Sequence, residues 1–202
     1  ASDKVRFVGA PCIGACDKAP AAAIGHQLVA PASLDDLTAI DSTPTVGPPA
    51  GAIRLDDYVA AGGYALLRDL LAGTRSRDNV LEVMDNAALR GLGGAGFPTG
   101  RKWRIVSGQP GPRMMAVNGD EGEPGTFKDR LYLGTDPHRM VEGILIAAHV
   151  VGIETCYIYM RDEYPEIIAL LRQELDKVRA AGLADHVAVE LRRGAGFPTG
   201  RK

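Results

Sequence analysis

Between Arg90 and Trp103 the chain reads RGLGGAGFPTGRKW, and five of those fourteen residues are glycine: Gly91, Gly93, Gly94, Gly96 and Gly100. Glycine admits positive φ and lets main-chain N–H groups approach an anion with no Cβ in the way. With an aromatic ring at Phe97 and cations at Arg101 and Lys102, the stretch reads as a backbone cradle for a phosphate or a planar ring. Glycine spacing alone leaves a plain structural loop equally open. The preceding NVLEVMDNAALR places Leu81, Met84, Ala88 and Leu89 at helical spacing, whereas a dinucleotide fingerprint follows a strand.

A second stretch, NGDEGEPGTFK from Asn118 to Lys128, supplies the polar groups. MMAV (114–117) is short, apolar and fit for a buried strand, and it runs straight into Asn118, Asp120, Glu121 and Glu123. Ligands of open α/β sheets bind beyond the carboxyl ends of the strands. A hydrophilic turn that binds nothing is the competing reading.

RGLGGAGFPTGRKW followed by NGDEGEPGTFKDR resembles the flavin and NADH site of the NADH-oxidising flavoproteins. That family comprises the 51-kDa subunit of respiratory complex I, the diaphorase subunit of NAD-reducing hydrogenases, and the β subunit of NAD-dependent molybdenum or tungsten formate dehydrogenases. The resemblance implies an NAD-dependent oxidoreductase in which hydride passes between NAD(H) and FMN and single electrons leave through iron–sulfur clusters. The cofactors carry that chemistry, so no catalytic side chain is expected. It also implies cofactor-binding roles. Backbone at Gly91, Gly93, Gly94 and Gly96 would lie against the flavin or dinucleotide, and Phe97 would stack on adenine or nicotinamide. Lys102 would favour reduced flavin or a phosphate; Asn118, Asp120 and Glu121 would hold ribityl hydroxyls and the ring's polar edge; Glu123 would meet the nicotinamide end. Each has a plainer alternative: Phe97 as a hydrophobic plug, Arg101 and Lys102 solvating a helix start, the carboxylates forming a charged turn. Trp103 reads as core.

The cysteines are Cys12, Cys16 and Cys156. An odd, small number argues against a disulfide framework, and the C-x3-C of PCIGACDKAP suits ligation or redox chemistry. GAPCIGACDKAPAAAIGHQLV resembles the second cysteine pair of the thioredoxin-like [2Fe–2S] domain that accompanies the flavoprotein. Four thiolates hold that cluster, and Cys12 and Cys16 would be half of them; two free thiols in a turn is the alternative. A [4Fe–4S] cysteine set is expected only in the part of the family sequence that this chain lacks. Cys156, in TCYIYM, reads as a small buried hydrophobe.

A [2Fe–2S] domain fused ahead of the flavoprotein through a Pro-rich linker is more like the formate dehydrogenase β subunit or the hydrogenase diaphorase than the complex I subunit, and the short, Ala-rich APAAAIGHQLV after the cysteines resembles the formate dehydrogenase more. The partners implied are a catalytic α subunit bearing molybdenum or tungsten and a small [2Fe–2S] γ subunit. The hydrogenase diaphorase and the complex I 51-kDa subunit are the alternatives, and a catalytically silent electron-transfer scaffold is the reading of another class.

The elements that must position these residues follow from pattern. The expected fold is α/β: residues 1–40 the C-terminal part of a thioredoxin-like domain, 41–54 a Pro- and Gly-rich linker, and 55–202 a truncated, Rossmann-like FMN/NADH-binding domain. KVRFVG alternates like a strand, and Ser33 with Asp36 marks a short capped helix. Residues 55–73 have helical spacing, with Gly62 and Gly63 separating an entry turn from the helix proper. Strands are predicted at 114–117, 155–160 and 186–191, and helices at 138–152 and 163–182. This β-α-β-α-β order favours a right-handed, parallel sheet. The loops NGDEGEPG, RDEYP and RRGAG then fall on one edge.

The 202 residues carry a net charge of −2 with cations scattered, so nothing marks a nucleic-acid or anionic membrane surface. No apolar run is long enough to cross a bilayer, and a soluble cytoplasmic protein with no direct membrane insertion is expected. His26, His138, His149 and His186 are read as caps, surface groups or core fillers, and GxSxG, HExxH and Walker A patterns are absent. The last nine residues, GAGFPTGRK (194–202), repeat 94–102 letter for letter, which suggests a junction or deletion rather than a structural repeat.

Overall fold

In the computed structural model, which describes residues 9, 13–24, 27–39, 47–123 and 125–194, the Cys16 turn is one turn of 3-10 helix, Cys16–Lys18. It leads into an antiparallel hairpin, β1 (Ala22–Ile24) with β2 (Gln27–Val29), and then helix α1 (Leu34–Ala39). The cap on α1 is the expected one. Ser33 Oγ accepts from Asp36 N at 3.1 Å, and the Asp36 carboxylate accepts from Ser33 N at 3.1 Å, a reciprocal capping box. The strand expected at KVRFVG, apart from Gly9, together with Cys12, His26 and residues 41–46 of the linker, lies outside the described residues.

Four helices follow: α2 (Leu55–Ala60), α3 (Ala65–Leu71), α4 (Arg77–Asn86) and α5 (Thr99–Ser107). The glycine pair separates α2 from α3 as expected. A Cβ at Gly63 would lie 2.1 Å from the Tyr58 ring, so only glycine fits there. Ser76 caps α4 through Asn79 N. The helical spacing read as far as Ala88 and Leu89 is cut short at Asn86, because Ala88 turns to φ +50° and the Leu89 carbonyl is taken by Thr99 N.

MMAV extends to Gly119 as strand β3 (Met114–Gly119), and helix α6 (Lys128–Thr135), unread in the sequence, follows the acidic loop. Helix α7 (Pro137–Val151) starts with proline at its first turn and an Asp136 cap, and stops at Gly152 with φ +74°. Then come β4 (Thr155–Met160), α8 (Pro165–Ala180) and β5 (Ala188–Arg193). The three strands form a parallel sheet in the order β3-β4-β5, with Met115, Cys156 and Val189 in register across it. β5 lies two residues beyond its predicted start, because His186 and Val187 stay in the turn, where His186 Nε2 donates to the Leu145 carbonyl at 3.0 Å.

Alternate residues along each strand face the helices. Cys156, Ile158 and Met160 are fully buried, and Met115, Val117, Val189 and Leu191 pack around them with Leu145, Leu171 and Val178. Burial pushes the Cys156 thiol up to about 11, as expected of an inert core cysteine. Trp103 packs against both apolar clusters, as its core assignment requires. Met114 and Tyr159, on the other face of the sheet, are exposed. Among the described residues no helix is long and apolar enough to cross a membrane.

Candidate flavin and nucleotide site

The glycine-rich stretch forms a closed loop between α4 and α5. Gly91 N donates to the Phe97 carbonyl at 3.0 Å, Thr99 N to the Leu89 carbonyl at 2.9 Å, and Arg90 Nη1 to the Gly96 carbonyl at 2.9 Å. Gly94 and Gly96 sit at φ +109° and +60°, where a side chain would be strained, and a Cβ at Gly93, Gly94 or Gly96 would meet nothing within 4 Å. These glycines therefore serve backbone conformation and leave open space above the peptide groups. That space suits a flat ring or a phosphate. Leu92 is 99% exposed and Phe97 42% exposed, so the apolar side chains of the loop face outward. The Arg101 guanidinium lies 5.8 Å from the Phe97 ring centre, and Lys102 is exposed in the first turn of α5.

Gly100 does something different. Its Cβ would lie 2.2 Å from Asp85 Oδ1 and 3.2 Å from the Leu81 carbonyl, so it is where α5 meets α4, and Arg104 locks the contact by pairing with Asp85. Gly100→Ala is expected to lower stability by about 1–3 kcal/mol through overpacking. That corresponds to a Tm loss of about 3–10 °C. An unchanged Tm would mean that the helix pair has slack at this point.

The second cluster lies where the strands end. Asn118 Oδ1 accepts from Asp120 N at 2.9 Å, turning the chain sharply after β3. Asp120 is 50% exposed and sits 3.8 Å from Arg161 Nε, and Glu123 is exposed. From the ends of β4 and β5 come Arg161, Arg192 and Arg193, of which Arg161 is the one beside Asp120, while Arg192 pairs with Glu190 at 3.6 Å. Arg193 pairs with Asp162, and Gly194 N closes the edge onto the Met160 carbonyl at 2.7 Å. Among the described residues no hydrogen bond or ion pair joins the 90–102 loop to residues 118–123. The expected ligands therefore stand in two groups.

Glu121 differs from its neighbours. It is 1% exposed, and its carboxylate accepts from Asp129 N at 2.8 Å, Arg130 N at 3.3 Å and the Tyr164 hydroxyl at 3.1 Å. Burial pushes this carboxyl up, but those three bonds, with Lys128 Nζ 3.8 Å away, outweigh it and hold the group below the usual carboxylate range. Its carbonyl is held by Arg161 Nη1. Glu121 thus faces the protein, unlike the cofactor-facing role expected of it. Arg161 and Tyr164 lie between β4 and α8 and Arg130 in the first turn of α6, at the end of NGDEGEPGTFKDR, and none of the three was assigned a role from the sequence.

Cys16 is exposed, and among the described residues no group of three or more His, Cys, Asp or Glu side chains stands where it could hold a metal.

A family model described as the Nuo51 FMN-binding domain matches residues 84–202, more than half of the chain. The chain belongs to that family. The match takes in the glycine-rich loop, the acidic loop and the whole parallel sheet of this Nuo51 domain. An NADH-quinone oxidoreductase subunit of Aquifex aeolicus (strain VF5) is 43% identical over 128 residues, covering 63% of this chain and 30% of the relative. Another NADH-quinone oxidoreductase subunit, that of Rhizobium meliloti (strain 1021), is 41% identical over 151 residues, covering 70% and 36%. The NADP-reducing hydrogenase subunit HndC of Solidesulfovibrio fructosivorans is 38% identical over 151 residues, covering 70% and 30%. A solved NAD+-reducing [NiFe]-hydrogenase in its H2-reduced state superposes with a TM-score of 0.70 at 29% identity, over 92% of this chain and 35% of that one. The chain therefore spans about a third of the length of the curated relatives it matches.

Proposed function

We propose that the chain is the FMN- and NADH-binding part of an NADH-oxidising flavoprotein subunit of the complex I and NAD-reducing hydrogenase type. The observation that carries this reading is the Nuo51 match over a glycine loop whose peptide groups face open space. FMN, when bound, supplies a two-electron acceptor for hydride that can release electrons one at a time. The chain's own residues do the placing. Gly93, Gly94 and Gly96 present backbone, Phe97 offers a ring face, Lys102 brings a positive charge, and Asn118, Asp120 and Glu123 offer polar contacts. Cys12 and Cys16 are proposed as half of a [2Fe–2S] ligand set in a thioredoxin-like segment; Cys12 lies outside the described residues.

The formate dehydrogenase assignment expected from the Ala-rich segment after the cysteines, and the α and γ partners that go with it, find no support among these relatives. Their names speak of quinone oxidoreductases and hydrogenases. The hydrogenase and complex I alternative is the reading adopted. Its test is NADH-dependent dye reduction by the full-length subunit carrying FMN. Phe97→Ala is expected to raise KM for NADH about five- to tenfold, with a smaller change in kcat, from the loss of an aromatic contact. An unchanged KM would place the ring outside the nucleotide path.

A further inference from the structure

We infer that Glu121 is a positioning residue whose buried carboxylate, acting through Tyr164 and Arg130, couples the loop that follows β3 to the turn that carries Cys16. The inference rests on the proposed function only for what that loop binds; the coupling itself stands on contacts within the chain.

The contacts form an unbroken path. At one end, the Glu121 main chain is fixed by Arg161, and one residue before it Asp120 is turned by Asn118. The Glu121 side chain leaves the loop and ends on the first turn of α6 and on the Tyr164 hydroxyl. Burial, and beside it the Glu121 charge, pushes the Tyr164 phenol up to about 12, so its hydroxyl keeps its proton at neutral pH. Two guanidinium groups lie against the Tyr164 ring, Arg161 at 5.6 Å and Arg130 at 5.8 Å from its centre.

At the other end, Arg130 Nη1 donates to the Gly14 carbonyl at 2.6 Å, and Arg130 Nη2 meets Asp17 at 3.0 Å. Gly14, at φ +70°, packs so closely on Tyr164 that a Cβ would lie 2.7 Å from the ring. Beside these contacts a cleft of about 770 Å3 opens between the turn and helices α6 and α8. Arg130 and Tyr164 therefore bridge the two parts at the margin of a gap.

An ordinary loop carboxylate faces water or a ligand, whereas a buried one costs desolvation unless its oxygens are paired. Here they are paired to the first turn of α6 and to Tyr164, and Arg130 of that turn and Tyr164 both contact the cysteine turn. Motion of that turn therefore reaches the orientation of Asn118 and Asp120 through a chain of bonds.

The test is hydrogen–deuterium exchange on the full chain, read separately for residues 13–20 and 118–130. Tyr164→Phe keeps the ring and removes only the bond to Glu121. Glu121→Gln keeps an acceptor without its charge, and Arg130→Gln cuts the link at the turn. Each is expected to speed exchange about fivefold or more in both segments, because each loosens a charge-assisted bond. The Tyr164→Phe/Glu121→Gln pair is expected to be no worse than the stronger single variant. Faster exchange in only one of the two segments, for all three variants, overturns the inference. Flavin affinity measured alongside separates the two claims. Coupled exchange in a chain that binds no FMN would sink the flavin reading and still support the coupling.

Discussion

Glu174→Ala is expected to cost this protein about 3–5 kcal/mol of stability, the usual penalty for breaking a buried charged network by removing one partner. Glu174, 0% exposed in α8, accepts from Arg54 Nη1 and Leu55 N at 3.0 Å, from Lys177 at 2.9 Å, and from His138 Nε2 at 2.9 Å. The Tyr64 hydroxyl meets His138 Nδ1 at 2.8 Å, so one protonation pattern serves the whole series: Tyr64 donates to Nδ1 and Nε2–H donates to Glu174. Residues from α2, α7 and α8 thus meet on one carboxylate, and Tyr64, just before α3, joins them through His138. Without it, Leu55 N and His138 Nε2 lose their partner inside the core. Chemical denaturation is expected to show the loss, with Tm down by about 10 °C or more. A shift below about 1 kcal/mol would mean that solvent reaches this network.

The same carboxylate sets a pH dependence. Burial pushes its pKa up, but the bonds from Lys177, His138, Leu55 N and Arg54 outweigh that and bring it from 4.5 down to about 2. A carboxyl depressed in the folded state stabilises it fully above the unfolded value and loses that contribution as pH falls from about 4.5 to about 2. The contribution is about 3 kcal/mol at neutral pH. The stability gap between the parent and Glu174→Gln is therefore expected to be wide at pH 7 and to close as acid is added.

Gly96→Val is expected to show the opposite signature: little loss of stability and a loss of FMN affinity of about ten- to a hundredfold. Gly96 sits at φ +60°, where a β-branched residue is strained by about 1–3 kcal/mol. A Cβ there meets nothing within 4 Å, so the fold itself suffers no clash. The exposed loop escapes the strain by changing shape, which releases the bond from Arg90 to the Gly96 carbonyl and closes the open space above the peptides. Flavin affinity reads this directly. Affinity unchanged alongside an altered loop would remove these glycines from the site.

How much of this was legible in the sequence depended on the range of the interaction. Helices α7 and α8 and strand β4 were read almost to the residue, because apolar periodicity, proline at the first turn and glycine after the last are local signals. Helix α6 was missed: KDRLYLGT buries only Leu133 and shows no clear apolar stripe. The Glu174 network joins positions up to 120 residues apart, and no short-range pattern announces it. Within NGDEGEPG the three carboxylates look alike on paper. Only the fold turns Glu121 inward, because α6 and Tyr164 supply donors that Asp120 and Glu123 do not have.

Whether the glycine loop holds a flavin is decided by titrating FMN with the purified chain and following flavin fluorescence, for the parent and for Gly96→Val. Saturable quenching at one flavin per chain is predicted for the parent, with the curve displaced to higher protein concentration in the variant. No saturable quenching by the parent, or superimposable curves for the two proteins, would contradict it.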